Sequence, residues 1–394
     1  MINIVDKSRC CGCGSCSKIC PQGAITISPD KAGFLYPVTD GDLCIECGLC
    51  EKICPVINHK NEENLEHKVY IAYAKNKEER FNGSSGGMFG LIAKNAIKTG
   101  ATVYAAAFDE NLKLRTTTAK SEEELVPLYK SKYLQNDLGN SFEEIKKKLS
   151  NGERVMFVST PCQVYALKLF LKKEYDNLLT VDFVCHGVPS QDFFDRCKEF
   201  TEKEKNIKIT DFVFRTKKTN GSTPHYFKMG YLKNGNKYEK TQLYLKDYFY
   251  TGFQKYITLR DSCYDCQFSY SNRVSDITLG DFHEVDKYID GINRFDGISN
   301  LVTNSSKGEK VWEEIKENTV FHSLDFNLLI DNKELMCGGT VKPLLRDSFV
   351  RDLENCEFEK VVDKYLNGKK QFLKIIYYSL PNFLRKIMKR VWIH

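Results

Sequence analysis

One motif occurs twice near the start of the chain and narrows what it can become. Cys10, Cys13, Cys16 and Cys20-Pro21 match C-x2-C-x2-C-x3-C-P, and Cys44, Cys47, Cys50 and Cys54-Pro55 match it again. Such close spacing wraps three thiolates around one face of an iron–sulfur cube. The proline then turns the chain away, so that the fourth cysteine reaches the other cluster. The expected ligand sets are therefore crossed: Cys10, Cys13, Cys16 and Cys54 for one [4Fe–4S] cluster, and Cys44, Cys47, Cys50 and Cys20 for a second. The small residues between ligands, Gly12, Gly14, Ser15 and Gly48, let backbone amides approach the sulfurs. A pair of structural zinc sites is the alternative, and two four-cysteine copies each closed by proline weigh against it. Cys11 falls outside the pattern and reads as a spare buried thiol.

Sixteen cysteines in a secreted chain would suggest disulfides, but here nine lie in the first 54 residues, eight of them at ligand spacing. No apolar leader precedes them. The expectation is thiolates holding metal in a reducing cytoplasm. The formal charge of +6 comes from basic residues interspersed with acidic ones, so no nucleic-acid partner is expected. No apolar run is long enough to span a bilayer.

Past the cysteines, residues 58–67 are polar and read as a linker. From there strand and helix signals alternate. Strands are expected at Val69–Ala74, Ala101–Phe108, Leu112–Thr118, Arg154–Ser159, Leu178–Val184 and Asp276–Leu279. Helices are expected at Met88–Lys98, stopped by Gly100, and at Phe142–Leu149 and Gln163–Lys173. This rhythm implies a mixed or parallel sheet with covering helices. Asn-Gly pairs at 220–221 and 234–235 mark hairpins in an aromatic, strand-rich stretch. After Pro381, the apolar pairs Phe383-Leu384, Ile387-Met388 and Val391-Trp392 alternate with basic pairs. They give a helix one apolar and one cationic face, suited either to the protein's own body or to peripheral contact with an anionic membrane.

A second cysteine constellation lies outside the doubled motif. Cys162 follows Thr160-Pro161 at a strand-to-helix turn, Cys185 sits in Val184-Cys185-His186-Gly187 at a strand end, and Cys263 and Cys266 form a C-x2-C pair. On spacing alone this could be zinc, a cluster or neither. Cys197, Cys337 and Cys356 follow no pattern and read as ordinary buried residues.

Several segments together resemble the coenzyme F-420 hydrogenase/dehydrogenase beta-subunit family. They are Ser84-Ser85-Gly86-Gly87-Met88-Phe89, Ser131-Lys132-Tyr133, Ser159-Thr160-Pro161-Cys162-Gln163-Val164-Tyr165-Ala166-Leu167, Cys185-His186-Gly187-Val188-Pro189-Ser190, Phe214-Arg215 and Ser275-Asp276-Ile277-Thr278-Leu279-Gly280-Asp281-Phe282. The resemblance spans residues 68–305, in addition to the ferredoxin part. It implies FAD and a third [4Fe–4S] cluster, with Cys162, Cys185, Cys263 and Cys266 as that cluster's ligands.

The expected class is then α+β: a ferredoxin-like 2[4Fe–4S] domain over 1–57, a mixed α/β flavin- and cluster-binding domain over 68–150 and 151–340 with the third cluster in the second part, and a helical tail over 341–394. A Ser/Gly loop before a helix suits a pyrophosphate, because glycines allow close approach and the helix start offers free amides. Ser84, Ser85, Gly86, Gly87, Lys132 and Thr160 are the candidate cofactor-binding residues, the bland alternative being a tight loop packed on the sheet. His186 and His225 are candidate proton donors, and Arg215 either neutralises an anionic substrate or makes a structural salt bridge. Flavins exchange electrons in pairs and clusters singly. The leading expectation is thus a flavin-dependent iron–sulfur oxidoreductase passing electrons between an external one-electron carrier and a small organic substrate, either the deazaflavin coenzyme or a biosynthetic, polysaccharide-related intermediate. The other reading is a non-catalytic electron-transfer subunit that docks on a partner redox subunit of a hydrogenase or dehydrogenase.

Overall fold

The computed structural model describes residues 6–60, 67–217, 226–283, 288, 296–331, 338–367 and 377. The short hairpin β1 (Ile25–Pro29) and β2 (Leu35–Thr39) belongs to the cysteine-rich start. The centre of the protein is an eight-stranded sheet built from β3 (Lys68–Ala74), β4 (Thr102–Phe108), β5 (Leu114–Ala119), β6 (Val155–Val158) and β7 (Leu178–Phe183), completed by three later strands. Between them in sequence lies an antiparallel meander of β8 (Lys208–Thr216), β9 (Tyr226–Lys233) and β10 (Asn236–Leu243). The sheet is completed by β11 (Ile277–Asp281), β12 (Ser299–Thr303) and β13 (Thr319–Leu324), in the order β13-β3-β12-β11-β7-β6-β4-β5. Strands β4, β6, β7 and β11 run parallel, and the flanking strands are antiparallel.

Alternation along these strands fills two separate cores, as strands covered on both faces require. Val103, Ala105, Met156 and Val158 pack with Met88, Ile92 and Ala96 of the helix Met88–Lys98 and with Trp312 of Ser306–Ile315. Tyr104, Val155 and Phe157 point the other way, onto Phe142 and Ile145 of Ser141–Ser150 and Val164, Leu167 and Phe170 of Pro161–Leu171. The expected helices and strands of this region occur, with ends moved by one or two residues. The sheet takes strands from both sides of residue 150, so the 68–150 and 151–340 parts share one sheet. The Asn234-Gly235 pair turns β9 into β10 with both residues at positive φ (51° and 78°), the geometry that a two-residue hairpin prefers. The other Asn-Gly pair, at 220–221, lies outside the described residues.

An aromatic core sits beside the sheet. Phe193 and Phe194 of the helix Gln191–Lys205 meet Phe212, Phe214, Phe227 and Phe249 there. The first part of the tail returns to this core: Phe349, on the helix Arg346–Asn355, contacts Phe193 edge-on, and Arg196 donates to Leu353 O (2.9 Å). The amphipathic stretch after Pro381 lies outside the described residues, as do His225 and Cys337. No helix among the described residues is long and apolar enough to cross a membrane.

The cysteine-rich domain is docked rather than tethered. Asn58, His59 and Lys60, read as linker, are pinned to the helix Pro161–Leu171: Tyr165 Oη donates to Asn58 O (3.2 Å) and accepts from Lys60 N (2.8 Å), and His59 stacks on the Tyr165 ring. Gln267 donates to Val56 O (3.1 Å), and Ser190 Oγ to Ala32 O (2.7 Å).

Candidate metal centres

Two helical turns begin on left-handed glycines, Gly14 before Ser15–Ile19 and Gly48 before Leu49–Lys52. Each turn lifts its cysteines toward a common space. One cavity is lined by Cys10, Cys13, Cys16 and Cys54, and a separate one by Cys20, Cys44, Cys47 and Cys50. The fourth cysteine of each motif thus stands with the other motif's three, as the closing prolines imply. Counted with their mouths, the spaces measure about 380 and 370 Å³. Among the described residues no three Cys, His, Asp or Glu side chains converge enough to chelate a single ion. Four thiols around one space are the donor set that a cluster takes. Burial pushes the Cys54 thiol up to about 11 and raises those of Cys10, Cys16 and Cys50. Such thiols stay protonated unless a bound metal takes the protons' place.

Crossing makes a quantitative prediction. The double variant Cys10→Ser/Cys54→Ser should lose about four iron atoms per chain, and Cys44→Ser/Cys54→Ser about eight. Iron analysis giving the opposite order would mean that each motif binds its own cluster.

A third cavity, of about 710 Å³ with its mouth, is lined by Cys162, Cys185, Cys263 and Cys266. Cys162 stands in the first turn of Pro161–Leu171, just past β6, and Cys185 lies two residues past the end of β7. Both therefore sit at the carboxyl edge of neighbouring parallel strands, where open α/β sheets place their sites. Cys263 ends the turn Asp261–Cys263, held there by Arg260 N donating to Val188 O (2.9 Å). Gly187, at φ 109°, admits that turn: a Cβ would stand 2.9 Å from Cys263 Cβ. Burial pushes Cys185 up to about 12 and raises Cys263 and Cys266. Cys162 is lowered, first by a hydrogen bond from Cys11 and against its own burial.

Cys11 is buried but not spare. It lines both the cavity of Cys10 and that of Cys162, with thiol contacts to Cys13 and Cys162. Cys197 is buried in the aromatic core, whereas Cys356 is exposed, contrary to the reading of it as a core thiol. Its place just past the end of Arg346–Asn355 turns it to solvent.

The candidate flavin residues are distributed less simply. Thr160 lines the third thiol cavity, its hydroxyl 3.3 Å from Cys162 Sγ. Ser84 Oγ accepts from Ser131 N (2.6 Å), Ser85 Oγ donates to Ile298 O (2.6 Å), and Gly86 N donates to Ser299 Oγ (3.0 Å). A Cβ on Gly86 would stand 2.3 Å from Ala72 O, so this glycine is required by packing on β3 and β12. Gly87 opens the helix Met88–Lys98 at φ 87° with no side-chain cap. Lys132 gives two of its ammonium hydrogens to Pro127 O (2.9 Å) and Tyr129 O (2.7 Å), and burial with Lys130 nearby lowers it to about 7. His186 lies at the exposed end of the β7 loop, and partial desolvation lowers its imidazole.

Around the loop lies a group that sequence reasoning missed. Lys217 Nζ donates to Arg80 O and Ser85 O, and burial beside Arg215 and Arg80 lowers it to about 7. Arg215 pairs with Asp281, the structural salt bridge given as its alternative role. Burial works to raise the Asp281 carboxyl, but the guanidinium outweighs it and holds the group well below the usual carboxylate range. Arg80 Nη2 and Arg215 Nε are buried with no hydrogen-bond partner among the described residues. The Phe-Arg dipeptide at 214–215 signalled one of these cations; nothing in the sequence marked the others.

Comparison with known proteins follows the same division. Residues 9–58 match the model of a 4Fe-4S dicluster domain. Residues 69–141 match the N-terminal model of the coenzyme F420 hydrogenase/dehydrogenase beta subunit, and residues 152–327 match its C-terminal model. The chain belongs to the coenzyme F420 hydrogenase/dehydrogenase beta-subunit family. It is a redox protein of mixed α/β fold with an N-terminal iron–sulfur domain. No curated protein matches it. Among solved structures it is similar to a chain of the F420-reducing [NiFe] hydrogenase complex from Methanosarcina barkeri, at 17% identity and a TM-score of 0.43 over 78% of this chain and 92% of that one. In this member of the family the dicluster domain precedes the beta-subunit part in the same chain and packs against it.

Proposed function

We propose that this protein is an iron–sulfur electron-transfer subunit that passes single electrons between an external carrier and a partner redox subunit of a hydrogenase or dehydrogenase. The supporting observation is the arrangement of three four-cysteine cavities, with Cys11 bordering two of them. Cys10, Cys13, Cys16 and Cys54 would hold one [4Fe–4S] cluster, Cys20, Cys44, Cys47 and Cys50 a second, and Cys162, Cys185, Cys263 and Cys266 a third. Clusters supply one-electron chemistry when bound. Cys47 is exposed, and Leu43 (51% exposed) and Ile45 (60%) stand beside it within an acidic rim of Asp40, Asp42 and Glu46. That surface suits contact with a carrier, while the third set lies under the junction of the two parts. The 1–57 and 68–340 parts act as one unit in this reading, because the hydrogen bonds between them include the buried ones of Ser190 to Ala32 and of Arg260 to Cys10.

The catalytic reading, with its organic substrate, has less behind it in the described residues. The Ser84–Gly87 loop is hydrogen-bonded within the protein, Lys132 serves a local turn, and Thr160 serves the thiol cavity. One observation favours FAD as an additional group: Arg80, Lys130, Lys132, Arg215 and Lys217 gather near the uncapped start of Met88–Lys98, with unpartnered guanidinium atoms among them. An anionic cofactor would satisfy that excess charge.

Anaerobically reconstituted protein should carry about twelve iron atoms per chain. Alone, it should show no turnover of small organic oxidants or reductants, while tagged protein recovered from its native cell should bring a hydrogenase- or dehydrogenase-type subunit with it. Turnover by the isolated chain, with bound FAD released on denaturation, would replace the relay reading with the catalytic one.

A further inference from the structure

One arginine is buried where the cysteine-rich domain meets the body of the protein. Arg260 is 1% exposed. Its Nε donates to Cys10 O (2.6 Å), its Nη2 to Leu35 O (2.8 Å), and its Nη1 to Gln135 Oε1 (2.9 Å). The guanidinium also lies over the Tyr36 ring, 4.1 Å from its centroid. None of these partners is a carboxylate, so the charge is held but not neutralised. The same side chain lines the cavity of Cys162, Cys185, Cys263 and Cys266, next to Cys11. Its field reaches Cys10 and Cys13 on one side and Cys162 on the other. By contrast Arg273, near Cys185 and Cys266, stands 3.8 Å from the Asp182 carboxylate.

We propose that Arg260 is a fixed positive charge that raises the reduction potentials of the two clusters on either side of it, making electron flow from the Cys20/Cys44/Cys47/Cys50 site inward to that pair downhill. Each cluster gains one electron and one negative charge on reduction, with no proton or bond exchanged. A buried cation beside it favours the reduced form, because in a low-dielectric setting the charge is poorly screened. Arginine suits the position because it stays protonated and its fork can bind three acceptors at once. The inference rests on the three-cluster reading above.

The test is an EPR-monitored redox titration of reconstituted protein, with the outer signal assigned through Cys44→Ser. In Arg260→Gln with full iron, the two flanking clusters should become harder to reduce by at least tenfold in the one-electron equilibrium, about 59 mV. The outer cluster should stay where it is. Arg260→Lys, which keeps the charge and loses the fork, should remain near the native potentials. If Arg260→Gln loses iron, Gln135→Glu answers the same question by setting a carboxylate against the guanidinium, and the same two potentials should fall. Flanking potentials that move no more than the outer one, in whichever variant keeps its iron, overturn the proposal. Wild-type iron near eight atoms per chain would instead remove the third cluster, a failure of the functional reading that is separate from this one.

Discussion

Replacing Cys263 by serine should remove about four of roughly twelve iron atoms per chain and leave the two N-terminal clusters assembled. The reason is geometric. Cys263 reaches the cavity of Cys162 and Cys185 from a turn locked by Arg260 N on Val188 O, and the eight N-terminal thiols line two other spaces. Reduced N-terminal clusters should then fail to pass electrons onward to a partner acceptor. Two cysteines serve as controls. Cys197→Ser removes a buried thiol that lines none of the three cavities, and Cys356→Ser an exposed one; both should keep their iron. Full iron content and undiminished transfer in Cys263→Ser would show that these four cysteines hold nothing.

Asp281→Asn should destabilise the protein by about 1–3 kcal/mol, between the values for an exposed and a fully buried ion pair. Arg215 and Asp281 have side chains only 11% and 26% exposed. Without the carboxylate, the guanidinium would be left among Lys217, Arg80 and Lys130, with its Nε already lacking a partner. The pH dependence has a definite sign. The folded carboxyl is held below its unfolded value, so its contribution is complete above the ordinary carboxylate range. It is lost progressively as pH falls from that range through the depressed folded value. Urea unfolding at pH 7 and at pH 6 should therefore show the same penalty. Adding Arg215→Met to Asp281→Asn should recover much of it, because the pair is costly mainly when halved. A penalty below about 1 kcal/mol, typical of an exposed pair, would mean that solvent reaches the bridge.

The doubled C-x2-C-x2-C-x3-C-P motif pointed to two crossed sets of four cysteines without any structure, and each set lines a cavity of its own. Ligand spacing is local, and proline's locked φ leaves the chain one way to turn. The period-two and period-3.6 patterns likewise located the strands and helices of the central sheet, because burial on a sheet face or helix stripe selects residues at those intervals. Family resemblance suggested that Cys162, Cys185, Cys263 and Cys266 belong together; spacing alone had left zinc, a cluster or neither. Their convergence on one cavity depends on β6 and β7 being neighbours in the sheet, which is a fact of topology. The Ser84–Gly87 loop read first as a cofactor cradle, with a packing turn as the alternative. The sheet settled what Gly86 does, since its close approach to Ala72 needs β3 in place. Cys11, Arg260 and Lys217 were visible in the sequence only as single residues. Cys11 looked surplus because its partners, Cys13 and Cys162, are joined only by docking. An arginine reads the same whether its charge faces water or is buried between two sets of thiols. Only tertiary structure decides which, because desolvation and the nearest charges set its energy, and both come from residues far away along the chain.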